Sequence, residues 1–328
     1  MTRHGATKGI KGVTGVTALR NKYGSFSTVS AGGSSSSGAG YVAGGQNSAG
    51  SLSRIDRIAY PLETSSLLPT QLTSVKRHLA GFANSGVAGY AAGGIGASST
   101  YDIDKMSFAA ETVTLSGAQL TTQRYILAGF ANSGVAGYAA GGYDGANINQ
   151  IDRIAFPADT KTTIPALLTS AIQSGTGFAN SGVAGYVAGG DNPPINRIDR
   201  LAFPGQTLTA LGVTLSYQLY FSACFSDNGV AGYIAAGTAS VHLNSLDRIA
   251  FPAETKIALG AILGSARTMA SGFANKGVAG YIAGGSTSAG LIKQIDRIAF
   301  PAETRSLSPA QLTDESNIHG SFANEGSL

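Results

Sequence analysis

Six aspartates occupy the same position of a repeated string, and a ring of carboxylates can hold a metal ion or do acid–base chemistry. The string is Ile-Asp-Arg-Ile-Ala-(Phe/Tyr)-Pro with small changes, so a cation follows each aspartate. Adjacent side chains of a strand face opposite sides, and we therefore expect each aspartate to meet a cation or a backbone N–H of a neighbouring unit. We interpret both sets as structural contacts between units: Asp56, Asp104, Asp152, Asp199, Asp247 and Asp296, with Arg57, Arg153, Arg200, Arg248 and Arg297, and Lys105 in the second unit.

The remaining residues of catalytic or metal-binding type do not form a recognisable site. The single cysteine, Cys224, excludes an intramolecular disulfide and any zinc cluster built on cysteines. Asp102 with Asp104, and Asp144 with Gly145, offer too few ligands for a calcium loop, and turns are expected there. The four histidines fall at unrelated repeat positions: His4, His78, His242 and His319. We expect no enzyme activity, no metal and no cofactor.

Composition and charge narrow the class of protein. Charged residues make up only 12% of the 328 residues, and 43% hydrophobic residues are enough for a packed core. No apolar run approaches the roughly 20 residues of a membrane span, and no apolar segment of a secretion signal follows Met1. Five of the basic residues lie within residues 1–22, whereas the first acid is Asp56. The body is thus close to neutral, which argues against nucleic-acid binding by it.

The elements that position these residues follow from an internal repeat. A Gly-Tyr-x-Ala-(Gly/Ala)-Gly string recurs six times, with 47 to 49 residues between successive tyrosines. Each unit predicts four short strands, for example over 79–84 and 87–93 in one unit, and over 55–60 and 66–72 in another. One such sheet cannot cover both of its faces, so the units must stack on one another. The tyrosines are Tyr41, Tyr90, Tyr138, Tyr186, Tyr233 and Tyr281.

These units resemble kelch-type β-propeller repeats. The resemblance lies in the aromatic strand that ends in Gly-Gly, as at 90–94 and 138–142, followed by a strand bearing an aspartate. It extends from about residue 38 to the end and implies propeller blades. The protein has no tryptophan, unlike the usual kelch fourth strand, and the fifth unit has Ala236-Gly237 in place of Gly-Gly. Repeats of this Trp-less, Gly/Ala-rich type are similar to those in structural proteins of tailed bacteriophages.

Closure of the ring is predicted from a missing phenylalanine. Phe82 precedes Tyr90 by eight residues, but the corresponding position before Tyr41 is Gly33, and Phe322 supplies the missing residue near the C-terminus. We therefore predict an all-β, six-bladed propeller over residues 37–328, closed by the C-terminal strand and preceded by an extended basic arm, residues 1–36. The rival arrangement adds a seventh partial blade that begins in residues 25–33.

The loops that vary between units are the candidate binding surface. The turns Ala-Asn-Ser-Gly and Pro-Ala-Glu-Thr repeat at one end of the strands, while the loops at the other end all differ. Loops on a rigid scaffold often perform recognition, although loops also vary where nothing constrains them. The candidate contact residues are Tyr101, Tyr143, Asn147, Asn192 and His242.

The resemblance and the variable loops together suggest a non-enzymatic virion protein of a tailed phage, in the tail or a fibre. Its arm would bind other virion proteins. Two alternatives are a lectin-like module that binds a host glycan or protein, and a cytoplasmic kelch-like interaction scaffold.

Overall fold

The structure is a computed structural model that describes residues 38–324 and two short strands before them, Leu19–Arg20 and Phe26–Ser27, which pair antiparallel. All regular elements of the described residues are strands. Six four-stranded antiparallel sheets form a six-bladed β-propeller, which confirms the predicted fold class. The chain divides into units Met1–Ser37 and Gly38–Leu328. Apart from the first strand pair, the predicted arm lies outside the described residues.

Each blade has an inner, a second, a third and an outer strand, hydrogen-bonded in that order. From the first blade to the sixth, the inner strands are Gly320–Ala323, Ala80–Asn84, Ala128–Asn132, Thr176–Asn180, Ala223–Asp227 and Ser271–Asn275. The second strands are Ala39–Ala43, Ala88–Ala92, Ala136–Ala140, Ala184–Ala188, Ala231–Ala235 and Ala279–Ala283.

The outer half of each blade continues the same order. The third strands are Ile55–Ala59, Asp102–Ser107, Ile151–Ala155, Ile198–Ala202, Ser245–Ala250 and Gln294–Ala299. The outer strands are Thr64–Leu67, Thr112–Gln119, Thr160–Thr163, Thr207–Ala210, Thr255–Ala261 and Thr304–Gln311. Two small hairpins lie in loops after second strands: Gln46–Asn47 with Gly50–Ser51, and Ser286–Thr287 with Gly290–Leu291.

The first blade is completed by the C-terminal strand, as predicted. Gly320–Ala323 pairs antiparallel with Ala39–Ala43, and Tyr41 lies opposite Phe322. Each inner strand also packs against the inner strands of both neighbouring blades, which closes the ring around an axis. Because the first sheet is built from both ends of the propeller chain, the first blade packs between the second and the sixth, and the ring has no gap.

The blades are joined by stacked aromatic rings. Tyr90 lies between Phe82 of its own blade and Phe156 of the next, with ring centroids 5.2 and 5.1 Å apart. Phe82 also covers Gly137 of the next blade, where a Cβ would stand only 2.1 Å from the phenyl ring. The Gly-Tyr pair is therefore required by packing, since the glycine admits the neighbouring ring while the tyrosine extends the stack.

A tyrosine, an acid and a cation meet at five of the six interfaces between blades. At the interface of blades four and five, Glu254 accepts hydrogen bonds from Tyr186 (2.6 Å) and Arg200 (2.5 Å). Four further interfaces repeat this cluster with Glu111, Asp159, Glu303 and Glu63 as the acids. Between blades three and four, Gln206 takes the place of the acid, so Tyr138 and Arg153 have no carboxylate between them.

The predicted fourth strand is wrong in its position. The prediction placed it over 66–72, whereas the structure has Thr64–Leu67. Leu68 and Leu72, which suggested a strand, belong to the segment that leads into the next blade, and both are buried in the core. Apolar side chains can cover the end of a blade without extending its ladder.

Candidate functional site

The two ends of the propeller differ in kind. The end that we call the repeat-turn face carries the turns between inner and second strands and between third and outer strands. The opposite end, the variable face, carries the loops after the second strands and the segments that connect one blade to the next. The loops of the variable face differ more from blade to blade, in sequence and in length, than the turns of the repeat-turn face, so the variable face is the candidate site.

Six connecting-segment residues form a ring around the axis on the variable face. Each has a positive φ, between 52° and 59°. Each N–H donates to the carbonyl of the preceding member at 2.8–3.1 Å, and the ring closes where His78 donates to Ile318. A left-handed backbone conformation is unfavourable for bulky residues. The closed set of backbone hydrogen bonds stabilises this conformation at all six positions. This axial ring consists of His78, Ile126, Ser174, Phe221, Met269 and Ile318.

Five aromatic rings cross the variable face in a continuous line, which we call the aromatic row. His78 and Phe221 belong to opposite blades, and their ring centroids lie 5.9 Å apart across the axis. Tyr125 and Tyr143 extend the row on the His78 side at 6.0 and 5.7 Å. Tyr220 extends it beyond Phe221 at 5.6 Å. All five side chains are half-buried and keep part of their surface open to solvent.

A cavity of about 120 Å³ follows the axis inward from the axial ring. All six blades contribute to its lining, which includes Cys224, whose Sγ donates to the Gly177 carbonyl at 2.8 Å. Two lining residues, Ser174 and Ser222, have buried hydroxyl oxygens without a hydrogen-bond partner within the described structure. Ser174 is only 4% exposed. The cavity therefore offers polar groups for which the fold supplies no partner.

The aspartates of the third strands position the segments that bear the axial ring. Asp152 accepts hydrogen bonds from the backbone N–H of Thr121 at 2.8 Å and from its Oγ1 at 2.6 Å. It also forms an ion pair with Arg124 at 3.0 Å. Thr121 and Arg124 precede Tyr125 and Ile126, so the buried carboxylate holds this segment in place. The cations that pair with the aspartates are Arg54, Lys76, Arg124, Arg197, Lys256, Arg267 and Arg305.

The arginine that follows each aspartate has a different partner. Arg57, Arg200, Arg248 and Arg297, with Lys105, pair with acids of the next blade, as described above. The aspartates thus bind the connecting segments of the variable face. The cations that follow them in the sequence bind acids of the next blade, near the repeat-turn face. The sequence pattern showed both sets but could not tell these two roles apart.

The structure brings four of the five predicted contact residues to the surroundings of the row. Tyr143 is part of it and bridges to Asn147, whose Nδ2 lies 3.4 Å from the Asp191 carbonyl, beside Asn192. His242 bridges to Thr238, which in turn pairs with Tyr220. Tyr101 lies elsewhere, in a separate polar groove of about 380 Å³ beside the second blade.

Most of the row was not identified from the sequence. His78, Tyr125, Tyr220 and Phe221 lie in connecting segments whose residue types differ from blade to blade. Their only shared signal is a fixed distance before the inner-strand phenylalanine, four residues for His78 before Phe82 and for Phe221 before Phe225. This spacing places a residue close to the axis of the propeller, but it does not indicate what the side chain does there.

The titratable groups at the axis are neutral near pH 7. Burial, with a smaller effect of Arg77, lowers the pKa of His78 to about 4. Burial also lowers the pKa of His319, which lines the cavity, to about 3. The Cys224 thiol has its pKa raised to about 12 by burial, so it remains protonated. Within residues 38–324, no three His, Cys, Asp or Glu side chains stand close enough to hold a metal ion.

Comparison with protein-family models and with curated proteins gives no match for this chain. A search of the described residues for helices finds none that is long and apolar enough to cross a membrane. The propeller itself is a fold compatible with a binding or protein-interaction module.

Proposed function

We propose that this protein is a non-enzymatic recognition ring, a structural component of a tailed-phage virion that presents its variable face outward. The observation that supports this best is where the chain enters and leaves the propeller. Gly38 leads into a second strand, and Asn324 follows an inner strand, so both lie at the repeat-turn face. The chain therefore enters and leaves the propeller on the side opposite the variable face.

The repeat-turn face has the surface expected of a docking side. One valine per blade follows the Asn-Ser-Gly type of turn in blades two to six, and each is 43% to 50% exposed. Apolar side chains repeated around an axis favour contact with another protein surface. These residues are Val87, Val135, Val183, Val230 and Val278.

The arm adds a charge argument to this orientation. Residues 1–36 contain five basic residues and no acid, whereas the rest of the chain is close to neutral. A basic segment joined to a neutral ring suits an acidic surface of a partner protein. The assignment to a phage particle rests on the similarity of the Trp-less, Gly/Ala-rich repeats to those of phage structural proteins.

Mass spectrometry of purified particles tests the proposal, with lysate of the same culture as the control. We expect the protein to copurify with particles in a constant ratio to the tail proteins. A variant lacking residues 1–36 retains all 24 propeller strands and should fold, yet it should be missing from particles. Full-length protein that remains in the soluble fraction would contradict the virion assignment, and incorporation of the truncated ring would contradict the role of the arm.

A further inference from the structure

We infer that the aromatic row and the cavity beneath it form a binding site for a neutral glycan. This inference rests on the proposed recognition role and names the chemical class of its ligand. Three observations support it independently: the partly exposed aromatic rings, the polar atoms without partners, and the charge around the site.

The ring faces suit a sugar because a pyranose has an apolar C–H face and a polar rim. Tyr125, Tyr143 and Tyr220 present rigid, partly exposed rings that end in hydroxyl groups. Such rings give a large contact area at a low cost in conformational entropy. The row extends from the third blade across the axis to the fifth, so it can contact more than one sugar unit.

The polar atoms without partners favour a ligand rich in hydroxyl groups. Ser174 Oγ and Ser222 Oγ line the cavity, and Asn147 Oδ1 lies beside Tyr143, each buried and without a hydrogen bond in the described structure. Serine can donate and accept, while the amide oxygen accepts. A hydroxymethyl group that enters the cavity would satisfy groups that an apolar ligand would leave unpaired.

The charge around the row argues against an anionic ligand. Asp144 and Asp191 flank the Tyr143 end, and Arg77 precedes His78. The nearest buried cation, Arg124, is held in its ion pair with Asp152. A phosphate or a sulfated or sialylated sugar would meet more negative than positive charge here, whereas carboxylates accept hydrogen bonds from neutral sugar hydroxyls.

The test is a glycan array probed with the full-length protein, followed by titration calorimetry with the best neutral oligosaccharide. The array carries neutral bacterial-surface oligosaccharides, with sialylated and sulfated glycans as comparators. We expect saturable binding to neutral glycans only. Tyr125→Ala and Tyr143→Ala should each weaken it about five- to tenfold, because each removes one stacking contact. Ser222→Ala should also weaken it.

Tyr101→Ala is the matched control, since Tyr101 is exposed on the same face but lies away from the row. It should bind as the unaltered protein does, and thermal melting should show that all variants are folded. The inference is overturned by the absence of saturable binding to any neutral glycan. It is equally overturned by binding confined to acidic glycans, by binding that Tyr125→Ala and Tyr143→Ala leave unchanged, or by capture of a host protein that deglycosylation does not affect.

The result separates this inference from the proposed function. A protein that is found in particles but binds no neutral glycan keeps its virion role and loses the ligand assignment. A protein that binds neutral glycans through the row but is missing from particles keeps the site and loses the virion role.

Discussion

The interface between blades three and four differs from the other five in its charges but not in its packing. Gln206 replaces the acid there, so Tyr138 and Arg153 lack the carboxylate that their counterparts have. The aromatic stack continues unchanged, with Tyr138 and Phe203 at 5.4 Å, and Phe130 still covers Gly185. The aromatic packing between blades thus does not require the ionic cluster, and we expect the clusters to add a smaller, local contribution to stability.

Alkaline pH should produce the largest effect and should distinguish the two kinds of interface. Burial raises the pKa of every repeat tyrosine, and for Tyr41 to about 12, with Glu111 adding to the shift. The pKa of these tyrosines is higher in the folded protein than in the unfolded chain, where it is about 10. The free energy of unfolding therefore does not change with tyrosine ionisation below about pH 10. Above it, the free energy of unfolding falls by about 1.4 kcal/mol per pH unit for each tyrosine that stays protonated.

At the blade three–four interface no acid adds to the effect of burial, and Arg153 lowers the pKa of Tyr138. We therefore expect Tyr138 to ionise at a lower pH than the other five repeat tyrosines. The difference in phenolate absorbance between the unaltered protein and Tyr138→Phe isolates the Tyr138 step, and Tyr186→Phe isolates the corresponding step at a complete interface. A Tyr138 step at the same pH as the Tyr186 step would mean that Gln206 does not set this interface apart.

Phe130→Ala should cost about 3–5 kcal/mol in the free energy of unfolding, because it opens a cavity against Gly185. Phe178→Ala is the matched variant at the next interface, where the ionic cluster is complete. Urea unfolding should give similar losses for both. A much larger loss for Phe130→Ala would show that the complete cluster shields its interface from a packing defect.

The substitution Glu254→Gln should remove the acid between blades four and five. It should thereby reproduce there the charge arrangement that is found between blades three and four. Glu254 accepts short hydrogen bonds from Tyr186 and Arg200, both partly shielded from solvent. We expect a loss of about 1–2 kcal/mol by urea unfolding. Glu315→Gln, at an exposed site, is the control and should change little. An unchanged midpoint in Glu254→Gln would show that the cluster contributes no net stability.

Gln206→Glu should have the smallest effect and the opposite sign. The new carboxylate would complete the cluster with Tyr138 and Arg153 and stabilise the fold by about 0.5–1 kcal/mol. Calorimetry should show a small rise in Tm, which Arg153→Met in the same chain should abolish. A fall in Tm would mean that the carboxylate is not stabilised at this interface.

The fold was predictable because its determinants are local and repeated. The Gly-Tyr strings give the number of blades. The phenylalanine expected before Tyr41 is absent from that part of the sequence, and Phe322 is the phenylalanine that fits its place, so the C-terminal strand could be identified as the closing strand. The position of the outer strand was not predictable, because Leu68 and Leu72 are apolar for a reason of packing between blades rather than of pairing.

The candidate site, by contrast, was decided by ring closure. His78 and Phe221 are separated by three blades in the chain, and no property of either residue indicates that they meet. They do so because six left-handed residues are drawn into one ring of hydrogen bonds, whose radius depends on all six blades at once. The sequence by itself determined the repeating unit and its number, whereas the axis and the side chains that meet across it exist only in the closed structure.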